Sequence, residues 1–208
     1  MAWLRLAGTM VLHHPFDAQV YLAQIATERP GFTIAPPAIL NMLLQNEALL
    51  ASVDLSSLHA IGSGSAPLAP AMVAGFQERF GITVINLFGS NEGVSMGSGA
   101  DDLPDPVERA RYFPRQAKVT PYFGTAPMMG LEKRLVPVGG GPEITDEGVA
   151  GELQIKGPMV FEGYWNAPDQ TAEAFTEDGF FRTGDLFEIA GGGRLLLFVG
   201  RCKDLIIR

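Results

Sequence analysis

One cysteine, three histidines and a deficit of positive charge narrow the possibilities before any motif is read. The lone thiol, Cys202, excludes an intrachain disulfide framework and suits a reducing compartment. His13, His14 and His59 lack the spacing and partners of a metal site and read as structural. Fifteen Lys and Arg stand against 23 Asp and Glu, a net charge of −8. Phosphate backbones are bound by basic surfaces, so no nucleic-acid partner is expected. No apolar run approaches the roughly 18 residues of a membrane span. The opening Met-Ala-Trp-Leu-Arg-Leu-Ala-Gly is too short and too weakly basic for a signal peptide. A cytoplasmic location without a transmembrane segment is the expectation.

What is present is a chain of 208 residues, 47% hydrophobic, long enough to bury a core in one or two domains. The first half alternates strands and helices. Gly8 to His14 reads as a strand, and Asp17 caps a helix running to about Glu28. Phe32–Ala35 is a second strand, halted by Pro36-Pro37, and a leucine-rich helix follows over 38–51. Leu58–Ile61, a helix over 70–80 and a strand over 83–88 complete the pattern. Strands separated by helices of this length imply parallel βαβ units. Ligands of such sheets bind at the carboxyl ends of strands, where the loops Gly62–Pro67 and Gly89–Gly93 fall.

From about Gly93 to Pro121, Gly, Pro and Asp accumulate, which reads as a long surface connection with one short helix near 106–112. Arg109, Arg111 and Arg115 on it read as a solvated face. Beyond lie β runs over 132–138, 152–157, 180–182, 186–190 and 194–199, with Gly191-Gly192-Gly193 as a hairpin turn and a helix only over 168–175. The fold class expected is therefore α/β: a parallel βαβ subdomain fragment followed by an antiparallel β subdomain, a small sheet or distorted barrel. Residues 1–120 form the first, 121–200 the second and 201–208 a hinge. Trp165 and Tyr164 are expected to pack the β subdomain.

The stretch from Gly179 to Arg208 sets Asp185 in a glycine turn a short distance before Arg201. A carboxylate accepts hydrogen bonds from both hydroxyls of a ribose, and a guanidinium grips an adjacent hydroxyl or phosphate in a fixed fork. One acceptor and one cation on a β scaffold suit a nucleotide. Gly62-x-Gly64 lacks the third glycine and the acidic strand-end partner of a dinucleotide fingerprint, which argues against a dehydrogenase.

Five motifs occur in order: Ile85-Asn86-Leu87-Phe88-Gly89-Ser90-Asn91-Glu92-Gly93, Gly151-Glu152-Leu153, Gly163-Tyr164-Trp165-Asn166, Arg182-Thr183-Gly184-Asp185 and Gly200-Arg201-Cys202-Lys203-Asp204. Together they resemble the central portion of the adenylate-forming (AMP-binding) enzymes, most closely the acyl-CoA synthetases. The resemblance implies activation of a carboxylic acid with ATP as an acyl-adenylate, then transfer to coenzyme A. Phe88 stands for the ring that stacks on adenine, with Phe where Tyr is commoner. Glu92 matches a catalytic carboxylate that holds Mg2+ near the phosphates. Asn91 stands where Thr usually contacts the α-phosphate. Asn86, Gly89 and Ser90 fall in the same nucleotide-binding motif, and Gly64, Ser65, Ala66 and Pro67 match a loop lining the acyl-adenylate pocket. Asp185 is similar to the ribose-binding aspartate, Arg201 to a catalytic arginine on ribose or phosphate, and Lys203 to the hinge residue.

Two elements of the family are not found in these residues: the glycine- and Ser/Thr-rich phosphate loop and the lysine of a C-terminal domain. The expectation is a fragment with little synthetase activity of its own. A non-catalytic AMP- or acyl-binding remnant, one piece of a split enzyme, or a truncated gene product are the alternatives. Surfaces uncovered by truncation predict self-association. Cys202 has no His–acid constellation and reads as non-catalytic. Ile61, Ala66, Leu68 and Met96 suggest an apolar acyl pocket, hence an alkyl or aryl acid, a fatty acid first.

Overall fold

The computed structural model describes residues 7–116 and 130–204. Among them the elements run α1 (Ala18–Glu28), β1 (Phe32–Ile34), α2 (Pro37–Gln45), α3 (Glu47–Ala51), β2 (Ala60–Gly64), α4 (Pro70–Phe80), β3 (Thr83–Gly89), β4 (Ser95–Ser98), α5 (Pro106–Arg111) and β5 (Tyr112–Pro114). Then follow β6 (Glu132–Val136), β7 (Gly151–Lys156), α6 (Pro168–Ala174), β8 (Phe181–Ala190), β9 (Leu195–Arg201) and a 3-10 turn at Cys202–Asp204.

The chain divides into two compact units, passing from the first to the second at Phe88, back at Ser98 and out again after Ala110. The expected boundary at residue 120 lies outside the described residues.

In the first unit β1 pairs parallel with β2, and β2 with β3. The helices between them begin and end where the sequence punctuates them. Asp17 takes the N–H of Val20 at 2.9 Å to cap α1. Pro70 starts α4, and Gly81 closes it, its N–H bonded to the carbonyl of Gln77 at 3.0 Å. The apolar faces of α1, α2 and α4 supply Leu22, Leu40, Met72, Val73 and Phe76 to a core that also holds Ile61, Leu68 and Val84. Burying each large side chain contributes about 1.5–3 kcal/mol relative to leaving it in water.

The second unit is a five-stranded antiparallel sheet of order β5-β9-β8-β7-β6, with the Gly191–Gly193 turn joining β8 to β9 as expected. Leu153, Ile155, Phe181, Phe187, Ile189 and Leu196 form its own core.

Four expectations need correction. Residues 8–14 form no strand; Met10, Val11 and Leu12 lie exposed instead, because no neighbouring strand among the described residues supplies ladder partners. The leucine-rich helix breaks at Asn46, whose side chain turns back to accept the N–H of Leu49 at 3.2 Å and caps a second helix. The connection after Gly93 is not mere surface: besides the expected short helix, α5, it contains β4 and β5, and β5 finds its partner far along the chain in β9. Finally, the runs over 180–182 and 186–190 are one strand, β8, carried through an irregularity at Thr183–Asp185.

Candidate functional site in the antiparallel unit

The irregularity in β8 is the local event that creates the site. Across from it, Glu152 pairs with Leu186 and Gln154 with Arg182, so one residue of β7 faces three of β8. The surplus is absorbed as a bulge, with Gly184 at φ +70°, a conformation glycine adopts without steric cost. Side chains replace the lost ladder bonds. The Thr183 hydroxyl donates to the carbonyl of Leu153 at 2.7 Å and accepts the N–H of Asp185 at 3.1 Å, while the N–H of Gly184 donates to Glu152 Oε1 at 3.2 Å. Alternation along β8 is kept through the bulge: Asp185 ends buried, its side chain 7% exposed, on the same odd-numbered series as the core residues Phe181, Phe187 and Ile189.

Asp185 pairs in register with Arg201 at the end of β9, and Arg201 Nε lies 3.1 Å from Asp185 Oδ1. Oδ1 is buried, and the Arg201 ion pair is its one contact, with no further hydrogen bond to it among the described residues. Two serine hydroxyls, those of Ser57 and Ser98, are also buried without a hydrogen bond there, but a carboxylate oxygen is far costlier to leave short of donors. A buried carboxylate paired with an exposed guanidinium keeps lone pairs that can accept further donors. Burial raises the Asp185 pKa above the ordinary carboxylate value, Arg201 opposes it, and the charges of Glu152 and Glu92 add to it. The Cys202 thiol is also pushed up, by burial first and then by Glu152 and Asp185, which fits its reading as a non-nucleophile. Lys203 is exposed in the turn after β9; the last four positions of the expected hinge, 205–208, lie outside the described residues.

Phe88 enters the same unit at the end of β3. Its ring meets those of Phe187, Phe198 and Phe113 at centroid distances of 5.1, 5.4 and 5.9 Å, and it stays half-buried. The ring is thus fixed by the core while keeping surface to offer, and Phe187 stands two residues from Asp185 on β8. The chain then turns sharply: Ser90 N–H donates to the carbonyl of Val94 at 2.9 Å, and a Cβ on Gly89 would lie 2.7 Å from that oxygen. Gly89, Ser90 and Asn91 are exposed on this turn and Glu92 is half-buried. Bonds from Ser90, from its own backbone N–H and from Tyr164 hold the Glu92 carboxyl below its ordinary pKa. The Tyr164 hydroxyl donates to Glu92 Oε1 at 3.4 Å.

Two residues escaped the sequence reading. Tyr164 packs as expected, its ring 4.8 Å from that of Phe161, and is also a partner of Glu92, whereas Trp165 beside it is 91% exposed. Glu152 was legible only as part of Gly-Glu-Leu; an acid inside a strand that is otherwise buried was the available signal.

The first unit holds the remaining candidates. Asn86 is buried, its amide donating to the carbonyls of Arg109 and Ala110 at 3.2 and 3.1 Å. Gly64 ends β2 so close to β3 that a Cβ would lie 2.2 Å from the carbonyl oxygen of Leu87. Ser65, Ala66 and Pro67 follow it exposed, at the carboxyl end of a parallel strand. Arg109 is not on a solvated face: it is fully buried. Its guanidinium donates to the carbonyls of Val84 at 3.0 Å, Leu103 at 2.8 Å and Pro104 at 3.1 Å, and also to Gln77 Oε1. The pocket lining expected from Ile61, Leu68 and Met96 is spent in the cores, the first two in one and the third in the other. His13 is structural as expected: Asp17 N–H donates to its Nε2 at 2.9 Å, and its Nδ1 lies 2.8 Å from Gln24 Oε1.

A parallel-containing sheet, an antiparallel sheet, an acid on a bulge beside an arginine and a packed aromatic strand end belong to a recognisable class of enzymes. Comparison with known proteins identifies it: the AMP-binding enzyme family matches residues 1–165, and the chain belongs to that family. A probable CoA ligase from Humulus lupulus is 31% identical over 99% of the chain, which spans 35% of that protein. Indoleacetate–CoA ligase from Aromatoleum aromaticum is 31% identical over 98% of the chain, which spans 36% of it. Among solved structures, the amide bond synthetase McbA from Marinactinospora thermotolerans superposes with a TM-score of 0.78 at 29% identity, over 96% of this chain and 37% of that one. The ATP-bound MatB from Rhodopseudomonas palustris gives 0.74 at 27% identity, over 99% and 37%. The chain therefore spans little more than a third of the proteins it matches.

Proposed function

We propose that these residues carry the adenine- and ribose-recognising part of an ATP-dependent acid–thiol ligase, which joins a carboxylic acid to AMP and passes the acyl group to coenzyme A. The observation that supports this most is Asp185: a buried acceptor on a glycine bulge, paired with Arg201 and keeping lone pairs for further donors. In this reading Asp185 accepts both ribose hydroxyls, Arg201 grips the sugar or a phosphate, and the ring of Phe88 supplies a flat face for the purine. Ser90 and Asn91 offer polar hydrogens to the α-phosphate from an exposed turn.

Glu92 suits the Mg2+ that accompanies ATP. Its hydrogen bonds favour the ionised form, and a carboxylate oxygen is the hard ligand that Mg2+ prefers. Among the described residues no three His, Cys, Asp or Glu side chains gather to hold a metal. That also fits, since Mg2+ in nucleotide sites takes one or two carboxylates and completes its shell with phosphate oxygens and water. Bound there, it would neutralise charge between the two anions that must meet.

The family's phosphate loop and catalytic lysine are not among these residues, so binding rather than turnover is expected of them alone. Calorimetry should show AMP binding, and an assay of pyrophosphate release should show none above background. Absence of AMP binding to the folded chain would refute the nucleotide reading; family-like turnover would refute the division of labour. For the acid itself, the fatty-acid expectation lost its argument when Ile61, Leu68 and Met96 proved to be core. Relatives named for indoleacetate and ferulate place aryl acids beside alkyl acids in the first carboxylate panel.

The raised Asp185 pKa gives a pH dependence with a definite sign. Only the ionised form accepts from both hydroxyls, so affinity for AMP falls as pH drops through a midpoint above the ordinary Asp value of about 3.9. Calorimetric titrations across the acid range should show this in the native chain and lose it in Asp185→Asn. A midpoint below the ordinary value would contradict the assignment.

A further inference from the structure

A second buried acid lies behind the first, and none of the functional roles above uses it. Glu152, on β7, is 8% exposed. It receives the Gly184 N–H on Oε1, and Gln154 Nε2 lies 3.3 Å from Oε2. Gln154 is held in turn: its Oε1 accepts Arg134 Nε at 2.9 Å, across the β6–β7 register that pairs the two residues. Arg134 is anchored by a two-pronged ion pair with Asp178 at 2.6 and 3.0 Å, and its guanidinium lies 3.9 Å from the centroid of the Phe180 ring. A chain of side chains therefore runs from a fixed cation to the amide of Gly184. It lies on the face of β7 opposite Leu153 and Ile155, which belong to the core.

We infer that Glu152 is a positioning residue: by holding the Gly184 N–H it fixes the β8 bulge that presents Asp185. This rests on the ribose role proposed for Asp185. The bulge creates the need for such a residue. Three residues opposite one leave the Gly184 N–H without a ladder acceptor, and a buried N–H must find another. A glutamine or a backbone carbonyl could serve as acceptor, and a buried carboxylate costs more than either unless its charge is used. The charged groups that act on Asp185 are Glu152 on β7, Arg201 on β9 and Glu92 on the turn after β3, with the Cys202 thiol adjoining. Of these, Glu152 alone also bonds the backbone of the bulge.

The test uses two variants of the full chain and NMR readouts that do not require bound nucleotide. Glu152→Ala removes the acceptor: the Gly184 amide should lose hydrogen-exchange protection, and AMP affinity should fall roughly tenfold, the scale of one lost hydrogen bond to a charged group. Glu152→Gln keeps an oxygen for Gly184 but not the charge. Protection and AMP affinity should then recover toward the native values. A glutamate that serves only to fill the fold would leave both unchanged in a folded alanine variant. Gly184 protection unchanged in the alanine variant, or AMP affinity no better in Glu152→Gln than in Glu152→Ala, overturns the inference. Should the alanine variant not fold, Glu152→Met, which fills the volume without an acceptor, takes its place. Failure of the native chain to bind AMP would instead sink the role of Asp185, and the NMR result would still decide whether Glu152 holds the bulge.

Discussion

Asp185→Ala should weaken AMP binding by roughly 1–3 kcal/mol, about 5- to 150-fold, without lowering the melting temperature at neutral pH. The two halves of that expectation have one cause. The carboxyl group is buried, and beyond the Arg201 ion pair its Oδ1 has no hydrogen bond among the described residues. Its remaining lone pairs contribute to binding further donors, at the expense of the free protein. Its pKa is raised in the fold. A group of that kind favours folding at pH values below its unfolded pKa and loses that contribution as pH rises through the folded one. At neutral pH the cost of burying the charge outweighs the Arg201 pair, so its removal should not lower stability. Strained or unsatisfied functional groups commonly trade stability for activity in this way. Calorimetry with AMP and with its 2′,3′-dideoxy analogue isolates the contact. The native chain should discriminate between the two, and the alanine variant should not. Equal affinity of native and variant proteins for AMP would rule out the ribose role.

Arg109→Ala should have the opposite profile, a large loss of stability. The side chain is fully buried and ties α5 and the segment before it to β3 and α4 through four acceptors. Its removal leaves three carbonyls and the Gln77 amide oxygen unpaired at about 1–3 kcal/mol each, partly relaxed by water entering the cavity. A net cost of roughly 3–5 kcal/mol is expected, a large share of the roughly 5–15 kcal/mol that holds a domain together. Asn86 adds to the sensitivity, since it binds the carbonyls of Arg109 and Ala110 from the strand side. Denaturant melts of Arg109→Ala and Arg109→Met separate the contributions. Methionine refills the volume without the donors, so it should recover little; near-native stability would show that Arg109 is packing and not a clamp.

These two residues mark what could be read without coordinates. Asp185 was legible because its surroundings are punctuated: glycine before it, a strand on each side, an arginine one hairpin later. The helix over 70–80 was legible for the same reason, with proline at its start, glycine past its end and apolar residues at helical spacing. Arg109 was not, because nothing local distinguishes an arginine on an exposed helix from one aimed inward at carbonyls. Its partners come from β3, α4 and the turn before α5. Likewise Ile61, Leu68 and Met96 were visibly apolar, but whether an apolar residue lines a pocket or fills a core depends on neighbours distant in sequence.

By itself the sequence determined the alternation of strands and helices, the hairpin at Gly191–Gly193, the order of the five motifs and the kinds of side chain they carry. Those features arise from local backbone preference and from chemistry fixed residue by residue. Only tertiary structure decided that β8 is one strand with a bulge, that Glu152 stands behind it and that Asp185 is buried beside Arg201. Each depends on pairing between segments far apart in the chain, where register, and not composition, sets which groups meet.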